Sequence, residues 1–185
     1  MTKRCFIAIN LPQEARWELE SLSAGLEKKN QNQLINFVKP KQIHVTLHFL
    51  GDLTKEQINQ VKDILAEIAP KYDQTELITG GLGAFPDLKQ PNVIFLETKE
   101  IGTNSLARLQ KEIGERLEKL GLKIDKRKWT PHLTLARCKE NCRFKADGVE
   151  LSELSIPVKS VELMASRLNS EGPEYSIISS YKFNI

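Results

Sequence analysis

The spacing of apolar residues along the chain predicts strands that alternate with helices. The run from Arg4 to Asn10 is short and largely apolar, as in a buried strand. Beyond Pro12, apolar residues recur every three or four positions, which is typical of one helix face: Leu19, Leu22 and Leu26. Further strands are predicted over Leu77 to Leu82, Val93 to Leu96, Leu133 to Ala136, Ser160 to Ala165 and Tyr175 to Phe183. The Gly- and Pro-rich stretch from Gly80 to Pro91 is predicted to form a loop.

Two further helices are predicted from their end signals. Thr54 is followed three residues later by Gln57, the spacing of a capping box, and a helical apolar pattern then runs to Pro70: Ile58, Val61, Leu65 and Ile68. A second such pattern ends at Gly121, which can adopt a left-handed conformation after a helix: Leu106, Leu109, Ile113, Leu117 and Leu120.

The segment from Ile43 to Leu50 alternates in the manner of a two-faced strand. Regular alternation places three residues on one face, His44, Thr46 and His48, and three on the other, Val45, Leu47 and Phe49.

The two halves of the chain repeat one another. Phe6 precedes His44 by 38 positions, and Ile94 precedes His132 by the same 38. The tetrapeptide at 44–47, His-Val-Thr-Leu, returns at 132–135 as His-Leu-Thr-Leu, and each half reads strand, helix, His-x-Thr strand. Two copies of one supersecondary unit usually pack about a pseudo-twofold axis. We therefore expect the equivalent faces of the two His-x-Thr strands to meet at a cleft.

Length and composition fit an ordinary globular protein. With 185 residues, 40% hydrophobic and 28% charged, the chain can bury a sizeable core and is neither collagen-like nor disordered. We interpret residues 1–185 as a single bilobal domain. No apolar run approaches the roughly 20 residues of a membrane span. The apolar stretch after Arg4 is too short for a signal peptide, so the expected location is the cytoplasm, with no membrane association.

The net charge of +3 is too small to indicate a nucleic-acid partner by itself. One segment nevertheless concentrates basic residues: Lys123, Lys126, Arg127, Lys128, Arg137, Lys139, Arg143 and Lys145. Only Asp125 and Glu140 interrupt it with negative charge. A phosphate-rich partner and a solvated basic face explain this segment equally well.

The cysteine count argues for reduced thiols. Three cysteines without an export signal do not suggest a disulfide framework. Cys138 and Cys142 lie near His132 in sequence, but a fourth ligand is missing, so packing thiols are favoured over a metal site.

The repeated tetrapeptide carries acid–base chemistry. On a strand, a His and a Thr two residues apart project from the same face. Two imidazoles can divide the work of a general acid and a general base, while the threonines hydrogen-bond anionic oxygens. A phosphodiester fits this set better than an acyl group, because in-line displacement needs an acid and a base on opposite sides of phosphorus. This chemistry requires no metal.

Two neighbouring residues are interpreted separately. His48 has no counterpart in the second half, where Ala136 stands, so a satisfied core histidine is the favoured interpretation. Arg137 is odd relative to His132, and strict alternation would point it away from the cleft. Only a bulge or a strand end would turn it towards a phosphate.

With these residues the chain resembles the 2H phosphoesterases, and among them the RNA 2′,3′-cyclic phosphodiesterases, also called 2′-5′ RNA ligases. The resemblance rests on five segments spread over nearly the whole chain: RCFIAINLP, HVTLHFLG, GAFPD with PNVIF, PHLTLAR and SRLNSEGPEY. It implies an α+β fold of two pseudo-symmetric lobes. Each lobe would be an antiparallel-rich sheet with helices outside, around a central cleft that carries the two His-x-Thr strands.

The same resemblance implies roles for individual residues. His44 would donate a proton to the leaving 3′ oxygen, and His132 would accept one from water. Thr46, Thr134 and Arg137 would hold the phosphate, and the product would be a 2′-phosphate, with 2′-5′ RNA ligation as a reverse activity. The implied partners are RNA with a 2′,3′-cyclic phosphate end, tRNA fragments among them, or cyclic nucleotides. Neither a metal nor another cofactor is implied, and a monomer is expected.

Two segments depart from the family pattern. Many relatives carry Trp where this chain has Phe95, and the Cys138 to Cys142 segment has no match in the pattern. Two alternatives to the enzyme remain: a non-catalytic RNA or nucleotide-binding module that uses the same cleft, and a metal-dependent hydrolase that uses His44, His48 and His132.

Overall fold

A computed structural model describes residues 1–31, 34–102, 104–139, 142–149, 151–169 and 172–185. Its strands are β1 Lys3–Asn10, β2 Ile35–Phe37, β3 His44–Leu53, β4 Thr75–Phe85, β5 Val93–Ile101, β6 His132–Cys138, β7 Ser155–Val158, β8 Ser160–Asn169 and β9 Gly172–Lys182. Its α-helices are α1 Gln13–Lys29, α2 Lys55–Ile68 and α3 Ser105–Lys119. Short 3₁₀ turns cover Pro40–Gln42 and Ala69–Lys71. Within two segments used above, residues 140 and 141 and residues 170 and 171 lie outside the described residues.

The strands form two antiparallel sheets. The first has the order β3-β1-β8-β9 and the second the order β2-β6-β5-β4-β7. Every neighbouring pair of strands in both sheets is antiparallel. The predicted α+β class with antiparallel sheets is confirmed.

The helix ends follow the local signals. The Thr54 hydroxyl accepts a hydrogen bond from the Gln57 backbone N–H at 3.3 Å, and the Gln57 side-chain oxygen accepts one from the Thr54 N–H at 2.9 Å, which completes the capping box of α2. After α3, Gly121 has a φ of +78°, and the Leu122 N–H donates to the Leu117 carbonyl at 3.1 Å. Both predicted helix ends are confirmed.

The predicted loop from Gly80 to Pro91 is wrong over its first part, because β4 continues to Phe85. A shift of register between Thr79 and Leu82 accommodates the glycines within the strand. Gly83 lies under the Phe95 ring, and a Cβ there would come within 2.4 Å of a Phe95 ring carbon. Glycine at position 83 therefore lets the Phe95 ring lie against the backbone of β4, and it does not mark a turn.

Two short strands were missed by the pattern of apolar residues. β2 has three residues and β7 has four, too few to establish a period of two. Both lie at the edges of the second sheet, where β2 pairs with β6 and β7 pairs with β4.

The two sheets share a pseudo-symmetric arrangement. In the first, β1 lies between β3 and β8; in the second, β5 lies between β6 and β4. Strand pairing sets Ile7 opposite His48 and Ile94 opposite Ala136, so Ile7 and Ile94 are the equivalent residues. The equivalence of Phe6 with Ile94, drawn from the 38-residue spacing, is therefore one residue off. The chain between strand and histidine is one residue shorter in the first half than in the second.

One large apolar cluster draws on both sheets and all three described helices. Its fully buried members include Ile7, Leu19, Val45, Leu65, Leu109, Leu133 and Leu163. A small second cluster lies on the opposite face of the first sheet, formed by Phe6, Ala8 and Met164 with Tyr175 packed against it. The first sheet is thus apolar on both faces near β1. The second cluster lies on the face where the Phe6 ring contacts His44.

Candidate active site

Both His-x-Thr strands contain the same bulge. In β3, Thr46 lies opposite Ala8 while His48 lies opposite Ile7, so Leu47 has no partner of its own. In β6, Thr134 lies opposite Phe95 while Ala136 lies opposite Ile94, and Leu135 is the extra residue. A bulge of one residue shifts the alternation of faces beyond it. The residues beyond each bulge therefore lie on the face opposite to the one that regular alternation predicts. They are His48 and Phe49 in β3, and Ala136 and Arg137 in β6.

His48 consequently faces the core, and its predicted place on one face with His44 and Thr46 is wrong. It is 4% exposed, and its Nε2–H donates to the Gln110 carbonyl of α3 at 2.7 Å. A Cβ on Gly114 would come within 3.0 Å of its ring, so α3 packs directly against it. The interpretation of His48 as a satisfied core histidine is confirmed.

The bulge in β6 has the opposite consequence for Arg137, which it turns to the face of His132 and Thr134. Arg137 is exposed, whereas Leu135 and Ala136 before it are fully buried. Its positive charge lowers the pKa of His44 on the other sheet. The sequence left open whether β6 alternates regularly, which would point Arg137 away from the cleft, or contains a bulge that turns it towards a phosphate. The structure contains the bulge.

The two histidine rings are held in the same way. His44 Nδ1 lies 2.7 Å from the Gln42 carbonyl, and His132 Nδ1 lies 2.7 Å from the Thr130 carbonyl, in each case two residues earlier. A carbonyl oxygen only accepts, so Nδ1 carries the proton in both rings. Nε2 is then the nitrogen that gains or loses a proton at each site.

Two aromatic rings flank each histidine. His44 lies 4.9 Å from Phe6 and 5.3 Å from Tyr175, measured between ring centroids. His132 lies 4.9 Å from Phe95 and 5.3 Å from Phe85. These contacts limit rotation of the imidazoles and remove water from one side of each. Phe95 is 5% exposed and packs under His132.

Burial lowers the pKa of His44, and it is the largest influence on that group. The hydrogen bond to the Gln42 carbonyl raises the pKa, while the charges of His132 and Arg137 lower it further. The charges of His132 and Arg137, both on β6, therefore act on His44 of β3. A concentration of positive charge with exposed donors is suited to an anion.

Thr46 and Thr134 complete the set. Each is half-buried and shares a strand face with its histidine, because the bulge begins only after the threonine. All five residues predicted for the site, His44, Thr46, His132, Thr134 and Arg137, are accordingly on the two facing strands β3 and β6.

Trp129 is a residue that the sequence pattern did not single out. Its indole N–H donates to the Thr46 backbone carbonyl at 2.9 Å, which joins the segment before β6 to the strand that carries His44. The ring itself packs against the main apolar cluster. The only signal in the sequence is its place three residues before His132.

The other candidates lie elsewhere or in other roles. His48 and His44 are on opposite faces of β3, so the three histidines do not converge as a metal-ligand set. Within the described part of the chain, no group of three or more His, Cys, Asp or Glu could hold a metal ion. The Cys142 thiol faces the Pro91 carbonyl at 3.8 Å, and burial together with this thiol raises the pKa of Cys138 to about 12.

The basic segment is partly neutralised by its own neighbours. Arg127 pairs with Asp125, and Lys126 pairs with Glu118 at 3.0 Å. These pairs are exposed and contribute little to stability.

A concavity of about 860 Å³ around Tyr72 and Glu112 is lined by residues other than those of the site.

None of the helices in the described residues combines the length and the apolar character that a membrane crossing requires.

Comparison with known proteins was made for the sequence and for the fold. Residues 12–167 match the family model of the 2′-5′ RNA ligase superfamily. The RNA 2′,3′-cyclic phosphodiesterase of Aquifex aeolicus is 34% identical over 157 residues, covering 78% of this chain and 80% of that protein. The enzyme of the same name from Archaeoglobus fulgidus is 30% identical over 176 residues, covering 93% of this chain and 96% of its own.

Solved structures show the same fold. A crystal structure of a Thermus thermophilus protein superposes with a TM-score of 0.80 at 27% identity, covering 97% of both chains. Escherichia coli LigT complexed with 3′-AMP superposes with a TM-score of 0.79 at 20% identity, covering 100% of both chains.

Proposed function

Because the chain belongs to the 2′-5′ RNA ligase superfamily, we propose that it hydrolyses RNA 2′,3′-cyclic phosphate ends to 2′-phosphates, using His44 and His132 as acid and base. Two relatives at 34% and 30% identity carry the name RNA 2′,3′-cyclic phosphodiesterase. The observation that carries the proposal is the pair of matched histidines, each with Nδ1 fixed by a carbonyl and Nε2 available.

In the proposed reaction, water attacks the phosphorus of the cyclic ester and the bond from phosphorus to the 3′ oxygen breaks. His132 Nε2 accepts a proton from the attacking water, and His44 Nε2 gives its proton to the leaving 3′ oxygen. The products are a 2′-phosphate and a free 3′ hydroxyl. After the reaction His132 is protonated and His44 is neutral. Proton exchange with solvent restores neutral His132 and protonated His44.

The remaining residues bind the charge of the substrate. The Thr46 and Thr134 hydroxyls and the Arg137 guanidinium are donors for the non-bridging phosphate oxygens. Burial is the main cause of the lowered pKa of His44, and the charges of His132 and Arg137 lower it further. A bound anion offsets those two charges, so substrate binding favours the protonated acid that the reaction needs. When the 5′ hydroxyl of another RNA attacks the cyclic phosphate in place of water, His132 accepts its proton, the bond from phosphorus to the 3′ oxygen breaks and His44 protonates that oxygen. The product is a 2′-5′ phosphodiester, which is the proposed 2′-5′ ligase activity.

The proposed partners are RNA with a 2′,3′-cyclic phosphate end, such as tRNA fragments, or the corresponding cyclic nucleotides. The proposed place of action is the cytoplasm, and the proposed active form is one bilobal monomer with a complete site.

The test is to incubate the purified protein with adenosine 2′,3′-cyclic phosphate in EDTA and to identify the product isomer by phosphorus NMR. We expect 2′-AMP, with no requirement for added metal. Formation of 3′-AMP would reverse the assigned leaving group. Binding of the nucleotide without turnover would identify a binding module, and turnover restored only by a divalent ion would overturn the metal-independent mechanism.

A further inference from the structure

The basic segment divides at β6 into two parts with different surroundings. Before the strand, Lys126 is paired with Glu118. Arg137 near the end of β6 and Lys139 just beyond it are both exposed, and neither forms an ion pair with another residue that the structure describes. The positive charge that a ligand can use is therefore concentrated at the far end of the strand.

Lys139 continues the cleft face of β6. Because Ala136 is buried and Arg137 is exposed, alternation places Lys139 on the face of Arg137. The Lys139 N–H donates to the Leu34 carbonyl at 2.8 Å, so the chain is still paired with its neighbour at this point. The face thus presents an imidazole, a hydroxyl, a guanidinium and an ammonium in succession: His132, Thr134, Arg137 and Lys139.

Asn36 of the edge strand β2 adds a neutral donor to this face. It lies opposite Arg137 in the pairing of β2 with β6, so the two side chains project on the same side of the sheet. Asn36 is exposed, whereas Ile35 and Phe37 on either side of it are half-buried, and Phe37 packs against the main apolar cluster. The Asn36 amide is therefore available to a ligand that Arg137 holds.

The opposite end of β6 is unsuitable for a second anion. There His132 lies opposite Glu97 of β5 in the strand pairing, and Glu97 is exposed. A carboxylate at this position repels a further phosphate. In the first lobe, Gly51 stands where Lys139 stands in the second, counted from the histidines. A chain of phosphates that leaves the site is therefore attracted along the second lobe, past Arg137.

We propose that Lys139 and Asn36 form a subsite for the phosphate on the 5′ side of the nucleotide that carries the cyclic phosphate. This inference rests on the proposed function and extends it to the substrate class, an RNA chain end rather than a free cyclic nucleotide. Two residues advance about 6.6 Å along a strand, similar to the length of one nucleotide of extended RNA backbone. Lys139 is thus one step from Arg137, as the next phosphate is one nucleotide from the cyclic one.

The test compares three substrates: adenosine 2′,3′-cyclic phosphate, the same nucleotide with a 5′ phosphate, and the dinucleotide ApA with a 2′,3′-cyclic phosphate end. Wild-type protein should have a lower KM for the two that carry the second phosphate. With Lys139→Ala, we expect KM for these two to rise about fivefold, the upper range for one exposed charged pair, with kcat little changed. KM for adenosine 2′,3′-cyclic phosphate should not change, and Lys139→Arg should retain all three wild-type values.

Salt dependence gives a second measurement of the same contact. Each contact between a cation and a phosphate of a single strand contributes about 0.7 to the slope of log affinity against log salt concentration. The slope of log KM for the dinucleotide should therefore become shallower by about 0.7 in Lys139→Ala. Asn36→Ala removes a neutral donor, so it should raise KM for the dinucleotide by about twofold and leave the slope unchanged.

Controls separate this inference from its alternatives. Lys126→Ala, in the same basic segment, should change no KM because Lys126 is paired with Glu118. Equal wild-type KM values for the three substrates would overturn the proposal. So would an increase in Lys139→Ala that adenosine 2′,3′-cyclic phosphate shares or that Lys126→Ala reproduces.

The 5′-phosphorylated nucleotide isolates the phosphate from the second nucleoside. A lower KM for the dinucleotide without one for the 5′-phosphorylated nucleotide would assign the contact to the second nucleoside and overturn the phosphate subsite. Failure of wild-type protein to hydrolyse all three substrates would instead contradict the proposed function.

Discussion

The two lobes share one backbone design but give their histidines different surroundings. Each has a bulged strand, a histidine fixed at Nδ1 and two flanking rings. Beyond the bulge they diverge: His48 and Phe49 in the first lobe stand where Ala136 and Arg137 stand in the second. The two lobes thus share the parts that position the imidazoles and differ at the positions after the bulge.

The strongest challenge to this comparison is to remove each histidine in turn. We expect His44→Ala and His132→Ala each to lower kcat by roughly a hundredfold or more, the usual range for a general acid or base, without loss of the fold. His48→Gln keeps a donor for the Gln110 carbonyl and should retain near-wild-type turnover of adenosine 2′,3′-cyclic phosphate. A large loss with His48→Gln in protein of normal circular dichroism would contradict its structural role.

Residual activity in these variants also assigns the roles. The reaction needs neutral His132 and protonated His44, so kcat/KM should follow a bell against pH whose two limbs belong to the coupled pair. His132→Ala should abolish the acidic limb and His44→Ala the basic limb. Loss of the opposite limb in each case would exchange donor and acceptor.

Arg137→Ala tests the divergent position of the second lobe. Removing a charge-assisted phosphate contact should lower kcat/KM by about tenfold to a hundredfold. Because the Arg137 charge lowers the pKa of His44, its loss should also raise that pKa and move the basic limb of kcat/KM to higher pH. Arg127→Ala, an exposed arginine paired with Asp125, is the matched control and should change neither quantity. An unshifted limb would mean that Arg137 does not act on His44.

Trp129→Phe tests the hydrogen bond that joins the lobes. The ring is kept and the N–H to the Thr46 carbonyl is lost, which should let β3 shift relative to β6 and lower kcat by about two- to tenfold, with little change in KM. Trp17→Phe, at the only other tryptophan, should have no effect. An effect confined to thermal stability would assign Trp129 to packing alone.

The smallest expected effect concerns stability. Burial lowers the pKa of His48 and of His44 in the folded state, so below the usual value near 6.5 the unfolded chain binds more protons. The stabilisation is present above that pH and is lost as the pH falls. Melting temperatures measured between pH 7.5 and 5 should therefore decline less steeply in His48→Gln than in the wild type. Parallel curves would show that His48 does not contribute.

The sequence predicted those parts of the molecule that depend on local signals. The capping box at Thr54 and Gln57 and the helix end at Gly121 depend on neighbours three or four residues away, and both are found. The two His-x-Thr pairs were recognisable because they are repeated. The bulges were not predictable, since alternation shifts only when a partner strand leaves Leu47 and Leu135 unpaired, and that is why His48 was assigned to the wrong face.

Contacts between distant segments were equally hidden. Nothing near Trp129 in the sequence indicates that its N–H reaches Thr46, a residue 83 positions away. Gly80 to Phe85 resembled a loop because the Phe95 ring that requires a glycine at position 83 belongs to the neighbouring strand.

The distribution of strands between the sheets has a consequence for how such a duplicated chain can be divided. β2 follows the first helix but pairs in the second sheet, and β8 and β9 close the chain by pairing beside β1 in the first. A cut in the exposed turn between β4 and β5 would leave each fragment without strands that its own sheet requires. The halves are therefore interlocked partners rather than autonomous modules. A chain with a single copy would need a second molecule to supply the missing strands, whereas this chain carries both copies within one covalent unit.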